Sequence, residues 1–410
     1  MYITFFTSTS RAPPNDGCEA FTLSPVSRRF FAETRSAKEL IARSRTWENA
    51  MKRRVDLAKL ARGALDRFKI LVVLLLIGFS LAPFTPSVKA DEVVSLRGAG
   101  STFSAPLYKK WIEEYSVLHR NVSITYDAVG SGEGVKRFLA ESVDFAGSDE
   151  ILSDDEIVQL PGAMMMPVTA GMIVLAYNIP GVNSEIKLAR DVYVDIFARK
   201  IRKWDDPRIQ AANPGIVFPR RDIAIVARQE GSGTTAAFSN HLAAISPSWR
   251  AAGMGVGKLF EWPSGVLLAP GNEGVAARIR LCEGSIGYVE YWFAQRLGLR
   301  MAALQNRSGE FITPTANSGE LALSKGVVQV KQLAASVVDP VDPGAYPITA
   351  YSWMFLYPQY RDRAKGIALQ EFALWGLSQA GQSYGAQLGY LRLRNDVVSI
   401  GTQALGPVGR

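Results

Sequence analysis

The sequence predicts an α/β fold, and two observations carry that prediction. A strand-like run that passes through a Gly/Ser/Thr turn into a helix-period segment occurs three times between residues 93 and 242. The composition, 48% hydrophobic and 20% charged over 410 residues, is that of a globular chain long enough for two domains.

The first unit joins residues 93–97 (VVSLR) to the turn 98–103 (GAGSTF), after which Leu107, Trp111, Ile112 and Tyr115 recur at helical spacing. The second runs from the alternating segment 122–126 (VSITY) through 130–134 (GSGEG) to Val135, Phe138 and Leu139. The third runs from 223–227 (IAIVA) through 228–235 (RQEGSGTT) to Ala237, Phe238 and Leu242. Their spacing is irregular, so they are not an internal repeat.

These turns share a chemistry. The first turn of a helix leaves backbone N–H groups without intrahelical partners and carries the positive end of the dipole, which suits an anion. Glycine lets the backbone approach closely, and serine and threonine hydroxyls add donors. Taken singly, each turn is also an ordinary capped βα connection. No nucleotide-binding fingerprint is present, and the lysine of a P-loop is missing, which leaves a small bare anion. Arg228 stands beside the third turn, and a guanidinium offers a planar fork for two oxygens of a tetrahedral anion.

The formal charge of +8 is a property of the N-terminal region. Of 46 basic and 38 acidic residues, 15 and 7 lie within residues 1–90, which leaves 31 of each in 91–410. With no net charge on the main body, a nucleic-acid partner is not expected. Residues 70–82 form an apolar run of 13, flanked upstream by Lys52, Arg53, Arg54, Lys59, Arg62, Arg67 and Lys69. That run is short of the roughly 20 residues a spanning helix needs. With Val88-Lys89-Ala90 before Asp91, it reads as a secretory signal peptide over 51–90, cleaved after Ala90. Residues 1–50 are expected to be a non-native or disordered extension. Cys18 and Cys282 fall on either side of the cleavage point, so the mature chain is expected to carry one thiol, packed as a small hydrophobe.

The stretches GAGSTFSAP (98–106), VGSGEGVKRF (129–138), VDFAGSDEILSD (143–154), KIRKWDDP (200–207), VARQEGSGTTAAF (226–238), GNEGVAA (271–277), GSIGYVEYWFA (284–294) and YPIT (346–349) closely resemble the periplasmic phosphate-binding proteins of high-affinity phosphate ABC transporters. The resemblance spans most of residues 91–375. It implies a two-lobed periplasmic binding protein (Venus-flytrap, type II) with hinge-crossing strands, one lobe from 91–170 plus 348–410 and the other from 171–347. It implies phosphate contacts from Thr102, Phe103, Ser131, Arg228, Ser232, Gly233 and Thr234. Asp149 would accept a hydrogen bond from a protonated phosphate oxygen, and Glu230 would orient Arg228. Sulfate at neutral pH has no proton to give, so it would meet that acceptor as a repulsion.

Two carboxylates depart from the family pattern, Glu133 and Glu150. A like charge about 6 Å from the anion costs roughly 3 kcal/mol at an effective dielectric of 20, so both are expected to face solvent. The implied partners are inorganic phosphate and the inner-membrane permease complex, with the chain a monomer in the periplasm and no cofactor or metal. Arsenate, sulfate or molybdate binding are alternatives within the class. A phosphatase-like hydrolase is the alternative outside it, but His119 and His241 are the only histidines and no hydrolase motif or metal-ligand spacing accompanies them. The aromatic group Tyr288, Tyr291, Trp292 and Phe293 reads as core packing rather than a cleft wall.

Overall fold

Short strands followed by helices fill the first part of the computed structural model, which describes residues 93–251, 253–324, 331 and 337–406. The signal-peptide reading over 51–90 and the extension 1–50 lie outside the described residues. The elements that position the site are β1 (Val94–Gly100), α1 (Ala105–Leu118), β2 (Val122–Ala128), α2 (Ser131–Leu139), β3 (Phe145–Ser148), α3 (Asp154–Gln159) and β4 (Met164–Asn178). They continue with β5 (Ala224–Arg228), α4 (Gly233–Ile245), β6 (Leu267–Ala269), α5 (Gly271–Leu281), β7 (Ser285–Glu290), α6 (Tyr291–Arg296), β8 (Thr349–Leu356) and α7 (Arg363–Leu377). All three strand–turn–helix units read from the sequence are therefore present.

The strands lie in the order β2-β1-β3-β8-β4-β7-β5-β6. Strands β1, β2 and β3 are parallel at one end, and β5, β6 and β7 are parallel at the other. Antiparallel β8 and β4 join the two ends. Strand β4 is the long crossing element: its residues 164–172 pair with β8, and its residues 173–178 pair with β7. Both β4 and β8 are buried almost throughout, which explains their near-continuous apolar sequences. Their register slips between Ser352 and Trp353, opposite Thr169 and Pro167. Pro167 has no N–H to give the ladder, and the extra residue of the bulge, Val168, stands beside it on β4.

The core follows the two parallel ends. On one, Trp111, Tyr115, Phe372 and Trp375 meet edge to face, binding α1 to α7. On the other, Phe197, Phe238 and Tyr288 pack together, Phe238 stacked on Tyr288 at 4.5 Å. Gly100 ends β1 at φ 138°, and a Cβ there would stand 2.0 Å from Gly147 O. Only glycine lets the β1 turn lie this close to β3. Cys282, expected to pack as a small hydrophobe, is buried.

Candidate anion-binding site

Each residue expected at the site sits at the carboxyl end of a parallel strand or in the turn that follows, where open α/β sheets gather their ligands. Thr102 and Phe103 follow β1, Ser131 opens α2, Asp149 follows β3, Arg228 ends β5, and the turn 232–234 opens α4. Gly233 allows the third turn to close on the others: a Cβ on it would stand 2.6 Å from Ser131 Oγ and 2.8 Å from Asp149 Cβ. At the same junction, Gly132 N–H donates to Gly231 O at 2.9 Å.

Asp149 is 6% exposed. Its Oδ1 accepts from Ser101 Oγ at 2.5 Å and from Ser352 Oγ at 2.9 Å, and its amide donates to Ser131 Oγ at 3.3 Å. Oδ2 receives only a long contact from Thr234 Oγ1, 3.4 Å, among the described residues. Burial pushes this carboxyl up to about 6, opposed by the hydroxyls of Ser101 and Ser352 and by the Arg228 guanidinium. Oδ2 is thus an acceptor with spare capacity, facing the third turn.

Arg228 has a side chain 1% exposed. Its Nε donates to Glu230 Oε1 at 2.8 Å, a second short bond runs from Nη2 to the same oxygen, and Nη1 donates to Thr234 Oγ1 at 3.3 Å. Guanidinium has five N–H groups. Three are accounted for among the described residues, which leaves one hydrogen on each Nη. Glu230 holds the orientation expected of it, and is itself held by the Gly271 amide at 3.1 and 3.3 Å. Tyr288 adds support from the core, accepting from the Arg228 amide at 3.2 Å while its hydroxyl meets Thr235 Oγ1 at 2.7 Å.

The third turn is a true helix start. Ser232 Oγ caps α4 by accepting from Thr235 N–H at 3.1 Å, leaving the amides of Gly233 and Thr234 without a helical acceptor. Phe103 is buried, its amide donating to Ser101 Oγ at 3.0 Å and its carbonyl accepting from Tyr390 at 2.5 Å.

The two unexpected carboxylates part company. Glu133 is half-exposed and paired with Arg137 at 2.9 Å on the outer face of α2, as expected. Glu150 is not turned to open solvent: it borders a cavity of about 550 Å³ with Lys258, His241 and Trp353, 3.9 Å from Lys258 Nζ. Burial raises its carboxyl, with Lys258 opposing. The physical reason is the lysine, which replaces the water that the side chain would otherwise seek.

Four polar residues around the site went unassigned in the sequence: Ser101, Asn272, Ser352 and Glu290. Ser101 and Asn272 lie inside the stretches 98–106 and 271–277, so position beside glycine-rich turns was their only signal. Ser352 acts across 203 residues of chain, and nothing local marks it. Glu290 Oε2 caps α6 at Trp292 N–H, 3.0 Å, while Oε1 has no partner among the described residues. Burial holds that carboxyl well above the carboxylate range.

The histidines stand apart from this chemistry. His119 stacks on Tyr115, and His241 is buried against the Tyr193 hydroxyl at 2.9 Å, burial lowering it to about 3. Among the described residues no group of three His, Cys, Asp or Glu could hold a metal ion, and no helix is long and apolar enough to cross a membrane.

A mixed sheet whose two parallel ends meet around a buried arginine and a buried aspartate defines an α/β solute-binding protein of the two-lobed class. The family described as the PBP superfamily domain matches residues 85–380. The phosphate-binding protein PstS of Xylella fastidiosa strain 9a5c is 35% identical over 315 residues, covering 76% of this chain and 85% of that protein. PstS of Haemophilus influenzae strain Rd is 35% identical over 309 residues, covering 74% and 90%. The chain belongs to the PBP superfamily and, within it, to the family of these PstS proteins. Its fold is shared by a high-affinity periplasmic phosphate-binding protein (PfluDING) solved with phosphate, at TM-score 0.62 and 19% identity over 77% of this chain and 99% of that one.

Proposed function

We propose that this chain binds inorganic phosphate between its two lobes and delivers it to the permease of a phosphate ABC transporter. The observation that carries the reading is the pairing of Arg228 with Asp149 in one buried site. Arg228 Nη1 and Asp149 Oδ2 both meet Thr234 Oγ1, at 3.3 and 3.4 Å, in the first turn of α4, and that carboxylate oxygen has room for one more hydrogen bond. Such a site takes a tetrahedral anion that is charged yet still carries a proton. The relatives' names supply the same ligand.

In this reading Thr102, Ser131, Ser232 and Thr234 donate hydroxyls, Gly233 donates its amide, and Phe103 shares its amide between Ser101 and the anion. The lobes are residues 91–170 with 348–410 and residues 171–347, joined where β4 passes from β8 to β7. Closure follows because the arginine wall and the aspartate wall each hold part of the ligand. The protein works as a monomer in the periplasm after removal of its leader, and it carries cargo rather than converting it.

Calorimetric titration of phosphate-stripped protein with phosphate and with sulfate tests the ligand. Phosphate is expected to bind at least a hundredfold more tightly, and equal affinities would overturn the reading. Release of phosphate from a generic monoester, assayed with and without divalent metal, is expected to stay at background.

A further inference from the structure

Asn272 is the second residue of α5 and is fully buried. All its polar atoms are engaged. Oδ1 accepts from Glu290 N–H at 3.0 Å, which fixes the amide's orientation and makes Nδ2 the donor end. Nδ2 donates to Thr102 Oγ1 at 3.0 Å and to Thr234 Oγ1 at 3.2 Å, and the Asn272 backbone N–H also donates to Thr102 Oγ1, at 3.2 Å.

A hydroxyl oxygen has one proton to give and two lone pairs to fill. Thr102 Oγ1 receives two hydrogen bonds, both from Asn272. Thr234 Oγ1 also receives two, one from Asn272 and one from Arg228 Nη1 at 3.3 Å. With their lone pairs occupied, both hydroxyls are left only their protons. Thr234 points its proton along the long 3.4 Å contact to Asp149 Oδ2, a weak bond that a ligand oxygen would displace.

We propose that Asn272 is a positioning residue that makes Thr102 and Thr234 obligate hydrogen-bond donors toward the bound anion, and so selects oxygens that carry charge rather than protons at those two positions. The same bonds tie the β1 turn to the start of α5, so this wiring is complete only when the two walls meet. The inference deepens the phosphate reading and rests on it.

Replacing Nδ2 by an acceptor reverses the wiring while keeping the shape. In N272D, both threonine protons turn toward the introduced carboxylate and away from the anion. The charged or titratable groups facing this position are Asp149 from the β3 turn, Arg228 and Glu230 from the β5 turn, and Glu290 from the end of β7. Because some of these titrate too, the readout is the affinity ratio to the native protein at each pH.

Phosphate affinity is measured by calorimetry on the phosphate-stripped full chain. N272A is expected to bind about 10-fold to 100-fold more weakly, the size of one or two charge-assisted hydrogen bonds. N272D is expected to be weaker still at pH 7.5, with the ratio to native narrowing at least about tenfold by pH 5, because full burial at this position raises the new carboxyl and lets it regain a proton to donate. N272D within threefold of native at pH 7.5, or with a ratio that does not change with pH, would overturn the inference. If N272D does not fold, the cycle of T102V, N272A and the double variant decides, because additive losses would break the proposed coupling. Native protein that fails to bind phosphate would sink the phosphate reading instead, before any variant is compared.

Discussion

The two walls of the cleft are built alike and carry opposite chemistry. On the β1–β3 wall, strand ends deliver a carboxylate set among hydroxyls: Asp149 with Ser101, Ser131 and, from the crossing strand, Ser352. On the β5–β6 wall, the same strand-to-helix geometry delivers a guanidinium, a capped helix start and Asn272. The local backbone solution is shared, so the division lies in the side chains. In the phosphate reading, one wall would supply attraction for any small oxyanion, and the other would ask whether that oxyanion still has a proton. Affinity and discrimination are therefore expected to respond to different substitutions.

The largest effect belongs to the attractive wall. R228M removes the guanidinium N–H groups left for the anion and leaves Glu230 only the Gly271 amide among the described residues, and losing one member of a buried charge pair costs about 3–5 kcal/mol. Phosphate affinity is expected to fall by about two to three and a half powers of ten, with a lowered melting temperature from the stranded carboxylate. R228K keeps a charge without the fork and is expected to fall between native and R228M, as read by calorimetry. Native-like binding by R228M would show that the wall is not organised around the guanidinium.

On the discriminating wall, D149N is expected to weaken phosphate by about tenfold, the size of one charge-assisted hydrogen bond, while raising sulfate affinity, so that the gap between them narrows. The same variant changes stability in a defined pH window. The folded carboxyl is raised from 3.8 to about 6 by burial. Below pH 3.8 it is protonated in both states and carries no penalty. Between 3.8 and 6 only the unfolded chain loses the proton, so stability falls as pH rises, and above 6 the full penalty of about 3 kcal/mol is present. Ligand-free D149N is accordingly expected to resist urea better than native protein at pH 7.5, with the advantage gone by about pH 4. A midpoint difference that does not depend on pH would sink this account.

Smaller losses attach to single hydroxyls. S131A removes one donor and frees the Asp149 amide of its 3.3 Å partner. The expected loss is about 1 kcal/mol, near fivefold in phosphate affinity, with the preference over sulfate unchanged.

Legibility in the sequence followed the same division between local and distant. The three turns and Arg228 stood out because strand, glycine- and hydroxyl-rich turn and helix lie within one short run each, while the role of Glu230 came only with the family resemblance. Asp149 became readable through the family resemblance, since its own neighbourhood looks like an ordinary capped turn. Ser352 and Glu290 were invisible because their roles arise from β8 and β7 arriving beside strands far away in the chain. Glu150 was misjudged for the same reason: Lys258, more than a hundred residues on, changes what surrounds it.

That last pair marks the smallest expected effect and separates the cleft rim from the cleft itself. Lys258 reaches Glu156 at 3.2 Å and Glu150 at 3.9 Å, joining the loop after α4 to the segment around α3, with all three side chains partly exposed. Pairs of this kind contribute about 0–1 kcal/mol and are screened by salt. K258Q is expected to weaken phosphate by no more than about fivefold at low ionic strength, and the difference is expected to vanish in 0.5 M salt if the lysine acts by holding the rim closed. Glu133, paired with Arg137 on the outer face of α2, offers the control: E133Q is expected to leave affinity unchanged at either salt concentration. If E133Q tightened phosphate binding while K258Q did nothing, the charge that matters to the anion would sit on the helix surface, and the assignment of attraction to one wall and discrimination to the other would have to be redrawn.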